Sequence, residues 1–213
     1  MNPRNPEAQY MSVMDGKIVQ VGDLNTIKPE GKYELDKSFE NLVLMPGLVE
    51  GHSHLFEGAL WSKLYCGYFD RQKPDGTTSL GIKNIQELVQ KLKQEHQKLS
   101  DIKAPLAGWG LDPIYFDDKA LDRKMLDVVS DQRPIGILHA SGHKLNINSV
   151  GLKLAGFLRT GINHEGLPLG EDGLPSGEIR GAETIALVTR HVGLGKDWLS
   201  GDAEGLRNFG KIC

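Results

Sequence analysis

The chain has 213 residues, 39% hydrophobic and 25% charged, which is the make-up of a globular protein able to bury one sizeable core. A formal net charge of −3 and a pI near 6.2 give no electrostatic reason for a nucleic-acid or anionic-membrane partner, since both favour a basic surface. The two cysteines, Cys66 and Cys213, lie far apart with no CxxC spacing, which argues against a disulfide framework and for a reducing, cytoplasmic setting. Residues 1–10 carry Arg, Glu, Asn and two prolines where a signal peptide needs an apolar core, and no apolar run reaches membrane-spanning length.

Near the N-terminus, Met11, Val13, Ile18 and Val19 flank Asp15-Gly16, a dipeptide suited to a two-residue hairpin turn because both central positions need positive φ. A second apolar run, Leu42 to Met45, stops at Pro46-Gly47, and a third, Leu48-Val49, leads into Gly51-His52-Ser53-His54. The Pro-Gly break suggests one element handing the chain to another. There the pattern becomes alternating. Ile82, Ile85, Leu88, Val89, Leu92 and Leu99 recur at helical spacing with Asn84 as N-cap, and Ala104 to Trp109 reads as a strand. Met125 to Val129 reads as a short helix and Ile135 to His139 as a strand. Asn146 or Asn148 caps a helix that stops at Gly156. Gly161 to Gly177 reads as a long loop, and Ile179 to Val192 and Asp202 to Cys213 read as helices. This order predicts an α/β fold with a parallel sheet and crossover helices.

Residues i and i+2 of a strand share a face, so His52 and His54 at the end of a strand begun by Leu48 would aim two imidazoles at one point. Neutral imidazole is a good ligand for zinc and similar divalent metals. Seven histidines produce such a pair by accident in about one chain of this length in five, so the spacing alone is a weak signal. The apolar strand, the Pro-Gly entry and the glycine beside the pair add the context. Trp109 and Asp112, at a strand end among glycines, are candidate pocket residues, with simple packing as the alternative. His143, after a strand, is either a pocket residue or a hydrogen-bonded structural histidine. His139, inside an apolar run, reads as a satisfied core residue. His96, His164 and His191 have no partner in sequence.

The segment Val43-Leu44-Met45-Pro46-Gly47-Leu48-Val49-Glu50-Gly51-His52-Ser53-His54 resembles the signature of the metal-dependent amidohydrolases. Three later stretches are similar to the YtcJ-like group, amidohydrolase family 3. These are Gly108-Trp109-Gly110-Leu111-Asp112, then Ser141-Gly142-His143 with Asn148-Ser149 and Leu154-Ala155-Gly156, and then Asp172 to Gly177. The resemblance implies a small β-sandwich-like domain over residues 1–47, lacking its first strand, followed over residues 48–213 by the first three or four units of a (β/α)8 TIM-type barrel. It also implies His52 and His54 as ligands of a divalent metal, zinc first among the choices, and hydrolysis of carbon–nitrogen bonds in a small amide-type substrate. An acidic residue that the family carries after its P-T-G segment falls here on Gly181. Glu178 and Glu183 flank it as substitute metal-site carboxylates, or as ordinary exposed helix carboxylates.

A complete barrel takes about 250 residues, and those after Gly47 suffice for three or four β/α units. The expectation is therefore an N-terminal part of a hydrolase, inactive alone, with its general base beyond Cys213 and exposed sheet edges favouring self-association into an oligomer. A catalytically dead remnant that binds other proteins is the competing expectation.

Overall fold

The computed structural model describes residues 7–27, 31–47, 49, 51, 53–116, 121–195 and 203–212. They fall into two compact units, Met1–Gly51 and His52–Cys213. In the first, strands β1 (Tyr10–Met14) and β2 (Lys17–Gly22) form an antiparallel hairpin, closed where Met14 pairs with Lys17. Asp15 and Gly16 take φ of 51° and 73°, the left-handed pair that a primed turn requires, as the Asp-Gly dipeptide predicts.

The second unit runs through α1 (Glu57–Leu60), β3 (Leu64–Tyr65), a small ribbon of β4 (Arg71–Gln72) and β5 (Thr78–Ser79), α2 (Ile85–Lys98), β6 (Leu106–Leu111), α3 (Arg123–Asp127), β7 (Ile135–His139), β8 (Lys144–Ile147), α4 (Ser149–Leu154), β9 (Glu178–Arg180), α5 (Ala182–Val188) and α6 (Ala203–Ile212). One five-stranded sheet, in the order β3-β6-β7-β8-β9, organises it. The pairs β3–β6 and β6–β7 are parallel, whereas β7–β8 and β8–β9 are antiparallel. The fold is thus mixed α/β with a partly parallel sheet, which corrects the expectation of a parallel one. β8 follows β7 through a four-residue turn, too short for a crossover helix, so it must run back.

Two further expectations change. Ile179 and Arg180 belong to β9 and not to a helix. Gly177 (φ 97°) and Gly181 (φ 79°) bracket the three-residue strand, and the helix starts only at Ala182. The described residues between Leu48 and His54, namely Val49, Gly51 and Ser53, lie in no strand, and neither does His54. The chain there turns into α1, with Glu57 N–H donating to the His54 carbonyl at 2.8 Å. The edge strand beside β6 is instead β3.

Both faces of the sheet are covered. Ala107, Trp109, Leu138, Leu145, Ile147 and Ile179 pack with Leu152 of α4 and with Ile185 and Val188 of α5. Leu106, Ile135 and Ile137 pack on the other face with Leu88 and Leu92 of α2 and Leu126 of α3. Each fully buried Leu or Ile contributes about 1.5–3 kcal/mol. The strand period of two assigns these faces, with one exception: a register shift at Gly110 (φ 91°) turns Leu111 onto the α2 face, although Trp109 points to the other. α2 begins as its sequence predicts. The Asn84 side chain accepts from Glu87 N–H at 2.9 Å, and Glu87 reaches back to the Lys83 N–H at 2.8 Å.

Candidate functional site

The parallel strands β3, β6 and β7 deliver Tyr65, Trp109 to Leu111, and His139 to one end of the sheet. Trp109 is 3% exposed, and its ring meets those of Trp61 (centroids 5.0 Å apart, 85°) and Tyr65 (5.2 Å, 62°) edge-on. The Arg71 guanidinium carbon lies 6.0 Å from the Trp109 centroid, and Arg71 Nη1 is 2.7 Å from Glu57 Oε1. Burial raises the Tyr65 phenol above its usual value, against the pull of Arg71. Trp109 is therefore a buried member of an aromatic cluster. Trp61, Arg71 and Glu57, its neighbours, carry no periodicity or motif signal in the sequence.

The other candidates disperse. His52 lies outside the described residues, so the geometry of the histidine pair does too. His54 is half-buried, and its ring stacks on Phe56 at 5.1 Å. Asp112 is half-buried and caps the 3-10 turn Pro113–Tyr115, accepting from Ile114 N–H at 3.3 Å. His143 is exposed. Its backbone bonds Ser141 Oγ and the Gly181 N–H.

Glu178, on β9, faces Lys144 and Arg180, whose charges place it in an ion-pair cluster on the sheet surface. Burial pushes its carboxyl up, but the Arg180 hydrogen bond and Lys144 outweigh that and hold it below the usual range. Glu183 is exposed in the first turn of α5, where a negative charge complements the helix dipole. Among the described residues, no group of three or more His, Cys, Asp and Glu side chains is placed to hold a metal ion.

His139 is buried, with Nε2 at 2.6 Å from Asn146 Oδ1. Asn146 Nδ2 donates to the Leu121 carbonyl at 2.5 Å, which leaves Oδ1 as the acceptor and puts the imidazole proton on Nε2. Burial lowers the His139 pKa, with the Asn146 bond opposing. A neutral, satisfied core histidine results. His96 Nδ1 accepts from Arg133 Nε at 2.9 Å, a partner far away in sequence. Cys66 is fully buried, which pushes its thiol up to about 12 and leaves it unreactive.

Two polar clusters hold the segments that sequence motifs single out. Asn148, fully buried, bonds four backbone groups through its amide. Arg123, nearly buried, donates to the Pro175 carbonyl at 2.9 Å, to Ser149 Oγ at 3.2 Å and to Asp172, clamping the Asp172–Gly177 loop onto α3 and α4. That bond and the nearby Lys124 hold the Asp172 carboxyl below its usual value, the Arg123 hydrogen bond being the larger cause.

A model of the amidohydrolase family matches residues 39–192. Protein LONG AFTER FAR-RED 3 of Arabidopsis thaliana is 26% identical over 154 residues, which is 72% of this chain and 24% of that protein. This chain thus spans about a quarter of that relative's length. Two solved structures, uncharacterized metal-dependent hydrolases of Pyrococcus horikoshii OT3 and Pyrococcus furiosus, align over 84% and 82% of the chain and 31% of each hydrolase. Their identities are 19% and 17%, with TM-scores of 0.42 and 0.40. With most of its length matched by the family model, including the segment that carries His52 and His54, the chain belongs to the amidohydrolase family.

Proposed function

We propose that the chain forms part of a YtcJ-like, metal-dependent hydrolase acting on carbon–nitrogen bonds in a small amide-type substrate. The observation that carries this reading is the family match from residue 39 to 192, which spans Gly51-His52-Ser53-His54. His52 and His54 hold a divalent metal, with zinc favoured by paired imidazoles. Such a metal, when bound, brings the pKa of water near neutrality. Catalytic zinc sites generally use three protein ligands. Among the described residues no group of three is placed to hold a metal, and no catalytic step is assigned to their side chains.

In this reading the parallel strands β3, β6 and β7 are units of a β/α barrel, the hairpin belongs to a β-sandwich-like domain, and the protein works in the cytoplasm. Self-association, or binding of another protein, is favoured by one observation: Val13, Met14, Ile18, Val43 and Met45 are all more than half exposed.

The test is amine release from a panel of simple amides by the protein expressed from its own gene, with and without a chelator. Chelator-sensitive release, lost in His52→Ala, supports the reading. Release that ignores both chelator and substitution contradicts it.

A further inference from the structure

We propose that α6 is a strap whose backbone contact at Gly205 sets the position of the His54 segment, which makes Gly205 a positioning residue for the histidine site. This deepens the hydrolase reading and rests on it for the role of His54. Two contacts tie His54 to α1. Its carbonyl accepts from Glu57 N–H at 2.8 Å, and its ring stacks on Phe56, the N-cap residue of α1, with centroids 5.1 Å apart. A shift of α1 therefore carries His54 with it.

α1 does not hold its own place. It is four residues long, and the first turn of a helix costs more conformational entropy than its hydrogen bonds return. Phe56 gives it no side-chain cap. Leu60 anchors the far end in the core, which leaves the end beside His54 to two other contacts. One is the Glu57–Arg71 ion pair, a weak tether because the Arg71 side chain is 41% exposed. The other is α6.

α6 packs chiefly on α1. The two helices cross at glycines, backbone on backbone. A Cβ on Gly58 would run into the Gly205 carbonyl and lie 2.7 Å from Phe209 N, and a Cβ on Gly205 would lie 2.6 Å from Ala59 Cβ. Phe209 stands one helical turn after Gly205, so both are on the face turned to α1. Glycine is a poor helix former, and at position 205 this crossing is what requires it. Gly210 of the same helix has open space where a Cβ would stand. Because α1 is the main support of α6, the strap is separable from the sheet.

Amide hydrogen exchange and proton NMR of the full chain without metal test the proposal, with Gly205→Val compared against Gly210→Val, the same change at the open position. Gly205→Val should speed exchange of the Glu57 N–H at least about tenfold and move the His54 ring protons from their Phe56-stacked shift, while the Ile137 N–H of β7 exchanges as in the native chain. It should also weaken zinc binding at least about tenfold. Gly210→Val should match the native chain in every reading, and Gly205→Ala, the milder change, should fall between.

Unchanged Glu57 exchange and His54 shift in Gly205→Val, equal effects from Gly210→Val, loss of the whole fold, or faster exchange with undiminished zinc affinity (a packing contact only) overturns the proposal. A native chain that binds no zinc sinks the metal reading alone, and exchange and ring shift then decide the strap without it.

Discussion

Replacing Asn148 by alanine removes one side chain and strands four backbone groups. Its Oδ1 accepts from Ile135 N–H and Gly151 N–H, both at 3.0 Å, and its Nδ2 donates to the carbonyls of Ser130 at 3.0 Å and Arg133 at 2.8 Å. The amide thereby caps α4, closes the turn after α3 and fixes the start of β7. The site is fully buried, so water does not readily replace these bonds. Each buried group left unpaired costs about 1–3 kcal/mol, and structural relaxation that re-pairs some of the four brings the total to about 3–4 kcal/mol. At about 2–4 °C per kcal/mol for a chain of this size, the midpoint should fall by about 6–16 °C. Thermal unfolding followed by circular dichroism measures that shift, and urea unfolding measures the free energy. Asn148→Asp is the internal comparison, since it keeps an acceptor for both N–H groups but sets an oxygen against two carbonyls, and it should also destabilise. A loss below about 1 kcal/mol in Asn148→Ala at unchanged m-value would refute the four-bond network.

Two other perturbations probe the Asp172–Gly177 loop. The Asp172 carboxyl lies below its ordinary value of 3.8 in the folded protein because Arg123 bonds it, so its stabilisation is fully present above that value and disappears as pH falls through the lower folded one. Acid unfolding should therefore be less steep below about pH 4 in Asp172→Asn, and identical acid profiles would contradict the clamp. Gly177 has φ 97°, and a Cβ there would lie 2.4 Å from the Ile147 carbonyl oxygen and 2.8 Å from Arg123 Cβ. Gly177→Ala should cost more than about 2 kcal/mol and open the loop to protease, and a neutral effect would show that the backbone yields there.

What the sequence made legible follows how local each signal is. Asp15-Gly16 specifies its hairpin through two φ angles, and Asn84 with Glu87 starts α2 within four residues. β8 leaves no such signal, because its Asn146 reads as a helix N-cap until the Leu121 carbonyl and His139, neither adjacent in sequence, are seen to satisfy it. β9 is three residues long and amphipathic, and its Glu-Ile-Arg pattern merges with the helix that follows. At the candidate site, Trp109 stands out by its strand and its glycines. The cluster around it leaves no sequence signal, because Trp61, Tyr65, Arg71 and Glu57 come together through tertiary packing that no spacing encodes. Arg123 and Asp172 likewise meet across a sequence separation of 49.

The central claim is that His52 and His54 together hold a divalent metal. Calorimetric titration of zinc into the full chain and into the His52→Ala/His54→Ala double variant tests it most directly. The account predicts that the native chain binds close to one equivalent and that the double variant loses this binding while keeping its circular dichroism spectrum. Equal zinc binding by both proteins would contradict it.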